Sequence, residues 1–120
     1  QDNAVYLSSR LSKHSEIKVP TTPDGYEHIY QMYTVRLKNK KIRDDYHKFL
    51  LEKRIFSKIY FSPIHLTDYY KNNYNVTSDL SKTMDVSNTV LTLPMYPNMT
   101  NEEKQYIINS TDEFFEQLNN

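Results

Sequence analysis

The sequence predicts an α+β fold, a small three-stranded sheet packed with helices, and three observations carry that reading. Ile29 to Leu37 alternates as a strand does, with Ile29, Gln31, Tyr33, Val35 and Leu37 on one face and Tyr30, Met32, Thr34 and Arg36 on the other. Apolar residues recur at helical spacing in the stretches that precede and follow it, most clearly at Ile42, Tyr46, Phe49 and Leu50. Two further short runs, Ser57 to Phe61 and Val90 to Leu93, are each closed by a proline, which cannot donate to a sheet ladder. Helices alternating with short strands are most economically arranged on one face of a mixed or antiparallel sheet.

Taken in order, Ala4, Leu7 and Leu11 mark a first helix running to about His14, which enters without a start signal. Glu16 to Val19 has the makings of a short strand, and Pro20 to Gly25 is a turn cluster. After the strand Ile29 to Leu37, Asn39-Lys40-Lys41 turns into a helix over about Ile42 to Arg54. The strand Ser57 to Phe61 leads to a short helical turn within His65 to Tyr74 and a loop at Asn72 to Asn75. Ser78 or Asp79 caps a helix carrying Leu80, Met84 and Val86, which ends near Asn88 before the strand Val90 to Leu93. Thr100 and Glu103 have capping-box spacing, and Tyr106, Ile107, Phe114 and Leu118 place the apolar face of the last helix.

Composition narrows function. The chain has 120 residues, enough for one core, and its 15 Lys and Arg balance 15 Asp and Glu. Nucleic acid and anionic membrane surfaces are therefore unexpected partners. Without cysteine there is no disulfide, thiolate metal site or cysteine nucleophile, and His14, His28 and His47 show no metal-ligand spacing. The apolar runs are far short of the roughly 20 residues that span a bilayer. Gly25 is the sole glycine, too few for a phosphate cradle or a nucleophile elbow. The chain starts with Gln1, which is expected of a piece of something longer. Three N-x-Ser/Thr sequons, at Asn75, Asn98 and Asn109, are about what chance supplies in so Asn-rich a sequence.

Two motifs carry more specific information. Tyr60-Phe61-Ser62-Pro63-Ile64-His65-Leu66-Thr67 is followed, about one helix further on, by Leu91-Thr92-Leu93-Pro94-Met95-Tyr96-Pro97. Together with His28 to Tyr33, Ile55 to Phe61 and the continuation Asn98 to Glu103, they resemble the carboxy-terminal small domain of the DegT/DnrJ/EryC1/StrS sugar aminotransferases. These use pyridoxal phosphate (PLP), and the resemblance runs nearly end to end. Residues 1–15 then correspond to a connecting helix and 16–120 to the small domain of a fold-type-I enzyme. The resemblance implies a cytoplasmic homodimer that moves an amino group from an amino acid, glutamate being the expected donor, to a nucleotide-linked keto sugar. The Schiff-base lysine and phosphate-binding groups belong to a large domain, so this piece alone is expected to hold no cofactor and to be inactive, its partners being that large domain and a second subunit. The sequence departs from the family at Arg54 and at Asn72-Asn73, where glycine turns are usual, and at Ser81 and Met84, where the family often has Pro and Glu. Arg54 is expected to end its helix without a left-handed cap.

His65 is the foremost polar candidate, since an imidazole just past a strand and a proline can reach a cleft and bond a sugar hydroxyl or a phosphate. Ser57, Tyr60 and Phe61 are candidates for lining the same substrate approach, although sheet packing accounts equally for the two aromatics. A basic turn at Lys38 to Lys41 reads as a solvated loop. The alternative to a sugar aminotransferase is a stand-alone interaction module binding a peptide or unpaired bases through Tyr30, Tyr33, Tyr69, Tyr70 and Tyr74, zero net charge counting against the bases. A hydrolase pairing Ser57 or Ser62 with His65 lacks an orienting acid and an oxyanion turn.

Overall fold

The computed structural model describes residues 1–75 and 78–120 of the chain, so the sequon at Asn75 runs into Val76 and Thr77, outside the described residues. Element order is α1 (Asp2–Leu11), β1 (Ile17–Lys18), β2 (Tyr33–Leu37), α2 (Lys40–Glu52), a 3-10 turn (Ile64–Leu66), α3 (Asp68–Asn73), α4 (Ser81–Thr89), β3 (Val90–Leu93) and α5 (Asn101–Asn119). The strands form one antiparallel sheet in the order β1-β2-β3, with Ile17 opposite Leu37, Tyr33 opposite Leu93 and Val35 opposite Leu91. That register puts Tyr33, Val35, Leu37, Leu91 and Leu93 on one face, all buried. Ala4, Leu7 and Leu11 of α1, Tyr46 and Leu50 of α2, and Ile107, Ile108, Phe114 and Phe115 of α5 complete a single core. Thr34 and Arg36 point to the other face, where Arg36 reaches Thr89 and Asp85 of α4.

The three-stranded α+β fold is the one expected, but its membership differs. Ser57 to Phe61 is not a strand: it meets β3 only at Lys58 and Thr92, through two bonds of 2.8 Å. The third strand is instead the short segment after α1, because Ile17 finds a partner in Leu37. β2 starts at Tyr33 rather than Ile29. Tyr30 has φ +51°, which a pleated strand does not accommodate, and its N–H donates to His28 Nδ1 at 2.8 Å instead of to a ladder. Ile29 is accordingly left 78% exposed.

Helix ends follow local chemistry. Thr100 and Glu103 form the reciprocal capping box expected of them, and Asn39 Oδ1 accepts the Ile42 N–H at 2.9 Å. Arg54 corrects its expectation: with φ +59° it takes the left-handed conformation after all. Its N–H reaches Leu51 O at 2.9 Å and Ile55 N–H reaches Leu50 O at 2.8 Å, the paired bonds of a Schellman end, while Ile55 and Leu50 are buried at the same place. A residue with a Cβ pays about 1 kcal/mol in this region. Arg54→Gly is therefore expected to raise stability by roughly 0.5 kcal/mol, net of glycine's larger unfolded-state entropy, in chemical denaturation; a loss of stability would contradict this account of the α2 terminus.

α1 is fastened to α5 beyond its apolar face. Lys13 Nζ and His14 Nε2 each lie 2.7 Å from a different Asp112 oxygen, and the His14 ring stacks on Phe115 with centroids 4.8 Å apart. Burial acts to raise the Asp112 carboxyl pKa, yet the hydrogen bonds from Lys13 and His14 outweigh it and hold the group below its ordinary 3.8. A carboxyl depressed in the folded state contributes stability that is present above 3.8 and is lost as the pH falls below it. Asp44, Asp79 and Glu103 are depressed too, each by hydrogen-bond partners. The expected result is a steep loss of thermal stability below pH 3.8 that Asp112→Asn makes shallower without abolishing; an unchanged acid limb in that variant would contradict the assignment.

Candidate functional site

The segment after Lys58 leaves the sheet and carries His65 to the edge of a cleft. Pro63 and Ile64 carbonyls accept the N–H groups of Leu66 and Thr67 at 2.9 and 3.0 Å, winding the 3-10 turn that presents His65, and Thr67 Oγ1 bonds Ile64 O at 2.7 Å. α3 follows at once. It carries no buried residue, so its six residues add nothing to the core.

His65 is half-buried and faces an open cleft of about 470 Å³, lined also by Lys71 and Tyr74 from α3 and its end and by Ser81 and Met84 from α4. That volume falls within the range of small-molecule sites. Among the described residues no carboxylate lines the cleft. The nearest in sequence, Asp79, accepts the Ser81 N–H at 2.9 Å, and its pKa is lowered by that bond.

The other predicted residues are placed elsewhere. The Tyr60 and Phe61 rings lie 4.9 Å apart, tilted at 45°, with the Lys58 ammonium 5.8 Å from the Tyr60 ring, and Phe61 is 74% exposed; neither lines the His65 cleft. Ser57 is buried, with its Oγ 2.8 Å from His47 Nδ1 on α2. It joins the chain after α2 to that helix and does not meet His65. Among the described residues no carboxylate bonds His47, so this pair has no orienting acid and the hydrolase reading gains nothing.

Lys71, Ser81 and Met84 are cleft residues that sequence reasoning did not select, and Tyr74 entered it only through the aromatic surface of the alternative reading. Their signal was faint: a run of tyrosines and one lysine inside a polar segment, with no spacing to link it to α4. The tyrosine set itself divides in space. Tyr33 is fully buried with its hydroxyl 2.8 Å from Ser8 Oγ, and burial pushes that phenol up to about 12. Tyr69, Tyr70 and Tyr74 form a separate exposed cluster.

A Schiff-base lysine must be desolvated to be nucleophilic, whereas Lys53 and Lys104 are half-buried and every other lysine is exposed. Gly25 sits in an open turn with no atom close enough to form a cradle. Among the described residues no group of three or more His, Asp or Glu side chains is placed to hold a metal ion, and no helix is long and apolar enough to cross a membrane.

The fold defines a class. It superposes on an aminotransferase, TlmJ, from Streptoalloteichus hindustanus with a TM-score of 0.87 at 19% identity, covering 99% of this chain and 31% of that one. A DegT DnrJ EryC1 StrS aminotransferase from Brucella abortus gives 0.81 at 26% identity, covering 94% and 29%, and PseC from Helicobacter pylori, an aminotransferase involved in the biosynthesis of pseudoaminic acid, gives 0.85 at 17%, covering 97% and 32%. In sequence, 100 residues are 28% identical to a pleiotropic regulatory protein of Geobacillus stearothermophilus, covering 82% of this chain and 26% of that protein. The profile of the DegT/DnrJ/EryC1/StrS aminotransferase family matches residues 1–112. The chain belongs to that family, and it spans between a quarter and a third of the length of these relatives.

Proposed function

We propose that this chain is the carboxy-terminal small domain of a PLP-dependent aminotransferase that transfers the amino group of glutamate to a nucleotide-linked keto sugar. The family match over residues 1–112 carries this reading. α1 is then the helix joining the small domain to a large PLP-binding domain, and the whole protein works as a cytoplasmic homodimer. The cofactor, when bound there, acts as the electron sink for transamination. This chain's part is to close over that site and hold substrate. His65 bonds the substrate from the mouth of its cleft, and Tyr60 and Phe61 cover the approach from the neighbouring segment. Ser57 serves through His47, fixing where that segment leaves α2.

The exposed apolar side chains Phe61, Ile64 and Leu66, between 39% and 74% exposed, support burial against the large domain and the second subunit. The test takes the two half-reactions in turn. The protein from the complete gene, incubated with glutamate, should release 2-oxoglutarate, and on addition of a nucleotide-linked keto sugar should pass the amino group to it; failure with every amino donor tried would sink the proposal.

A further inference from the structure

One turn of the molecule is held by a bond that only a neutral imidazole can accept. His28 Nδ1 takes the Tyr30 N–H at 2.8 Å, and the two rings stack at 4.2 Å and 29°. Tyr30 has φ +51°, a conformation that costs a residue with a Cβ, while the alternation from Ile29 to Leu37 favours extended backbone. The bond to His28 therefore keeps the turn from straightening. Protonation removes it: both nitrogens of an imidazolium carry hydrogen, so Nδ1 has no lone pair left for the Tyr30 N–H.

In its bent form the turn reaches the start of α1. Gln1 Nε2 donates to Glu27 Oε1 at 2.7 Å and to His28 O at 3.4 Å. A second attachment, from Asn3 Nδ2 to Tyr96 O at 2.9 Å and Pro97 O at 3.4 Å, involves no imidazole. Beside them lies an open cavity of about 480 Å³, lined by Asp2, Tyr30 and Tyr96 among others, which gives the turn room to move. The titratable groups on the elements that meet here are the Asp2 and Glu27 carboxylates and the Tyr30, Tyr33 and Tyr96 phenols, with Glu103 and Lys104 of α5 bonded to Tyr96 and Asn3 behind them. Carboxylates, phenols and ammonium groups ordinarily keep their charge between about pH 5 and 8, whereas histidine does not.

We propose that the turn at residues 27–30 is a pH-sensitive latch on the first turn of α1, closed while His28 is neutral and opened by its protonation. The latch belongs to this chain and is independent of the reaction of the whole protein; where α1 joins a large domain, opening it loosens the junction on one side while Asn3 keeps hold on the other. Deuterium exchange followed by mass spectrometry reads it in the protein expressed from the complete gene, on peptides spanning 1–7 and 26–32, with intrinsic exchange rates divided out. Going from about pH 8 to about pH 5 should lower protection in both peptides about fivefold, the worth of one hydrogen bond. In His28→Asn the side-chain oxygen accepts the N–H two residues on and does not titrate, so protection should stay high at both pH values. His28→Phe keeps a ring for stacking but has no acceptor, and protection should be low at both. His28 is exposed and outside the core, so both variants should fold, which circular dichroism verifies. Wild-type protection equal at both pH values, a pH response that survives in His28→Asn, or full protection in His28→Phe overturns the latch, whatever the protein catalyses.

Discussion

Truncating Phe115 to alanine is expected to cost about 3–5 kcal/mol of stability, a third or more of what a domain of this size commonly has. The residue is 1% exposed and stands where three helices meet. Its ring lies 5.0 Å from Phe114 on its own helix, 5.6 Å from Tyr46 of α2 and 4.8 Å from His14 just beyond α1. Tyr46 in turn donates its hydroxyl to Thr111 Oγ1 at 2.6 Å, and Thr111 donates to Ile107 O at 2.7 Å, so the neighbours are fixed by buried hydrogen bonds and cannot collapse into the space. A cavity that cannot collapse gives the upper part of the range. Chemical denaturation followed by circular dichroism should show the midpoint fall sharply, whereas a loss under 1 kcal/mol would mean that the α1–α2–α5 junction is not the centre of the fold.

The second large effect is electrostatic. Arg43 is 4% exposed, and its guanidinium donates through Nη1 to Ser87 O at 3.0 Å and Val90 O at 3.1 Å, and through Nε to Asp44 at 2.6 Å. It therefore supplies the carbonyl partners that the end of α4 lacks and fastens that end to the start of β3. Arg43→Met keeps much of the volume but leaves the Ser87 and Val90 carbonyls without their donor, while Asp44, 41% exposed, keeps its bond from Lys40. The expected cost is about 2–4 kcal/mol, since an unsatisfied buried group loses its whole desolvation penalty. Arg43→Lys should recover little, because a single ammonium does not reproduce the planar fork. Near-wild-type stability in the methionine variant would show that water satisfies those carbonyls.

Where the chain signals structure locally, the fold was legible. Thr100 and Glu103 announce α5, and the run Val90 to Leu93 before Pro94 is β3, whereas α2 starts at Lys40, inside the basic stretch read as a loop, because Asn39 caps it. What was not legible depends on partners distant in sequence. Ser57 to Phe61 has the composition of a strand, but its neighbour β3 accepts it at one residue only, while the less promising Ile17 is stabilised by Leu37. Tyr30 disrupts an alternation that looks unbroken on paper because its backbone turns left-handed, as Arg54 does without being glycine. Of the candidate site, His65 could be selected from its place after Pro63, and the structure sets it on a cleft. Lys71 and Ser81 could not, since only the folded chain brings them to the same cleft. Ser57 has a chemically attractive hydroxyl whose partner, His47, lies on the preceding helix and turns it inward.

The central claim is best tested by the visible absorption spectrum and intact mass of the protein expressed from the complete natural gene, before and after borohydride. The account predicts a longer chain with an internal-aldimine band that reduction abolishes, and a reduced cofactor fixed to a lysine outside residues 1–120. A colourless product of about this length, unaltered by borohydride, would contradict it and leave the His65 cleft as the site of a binding protein.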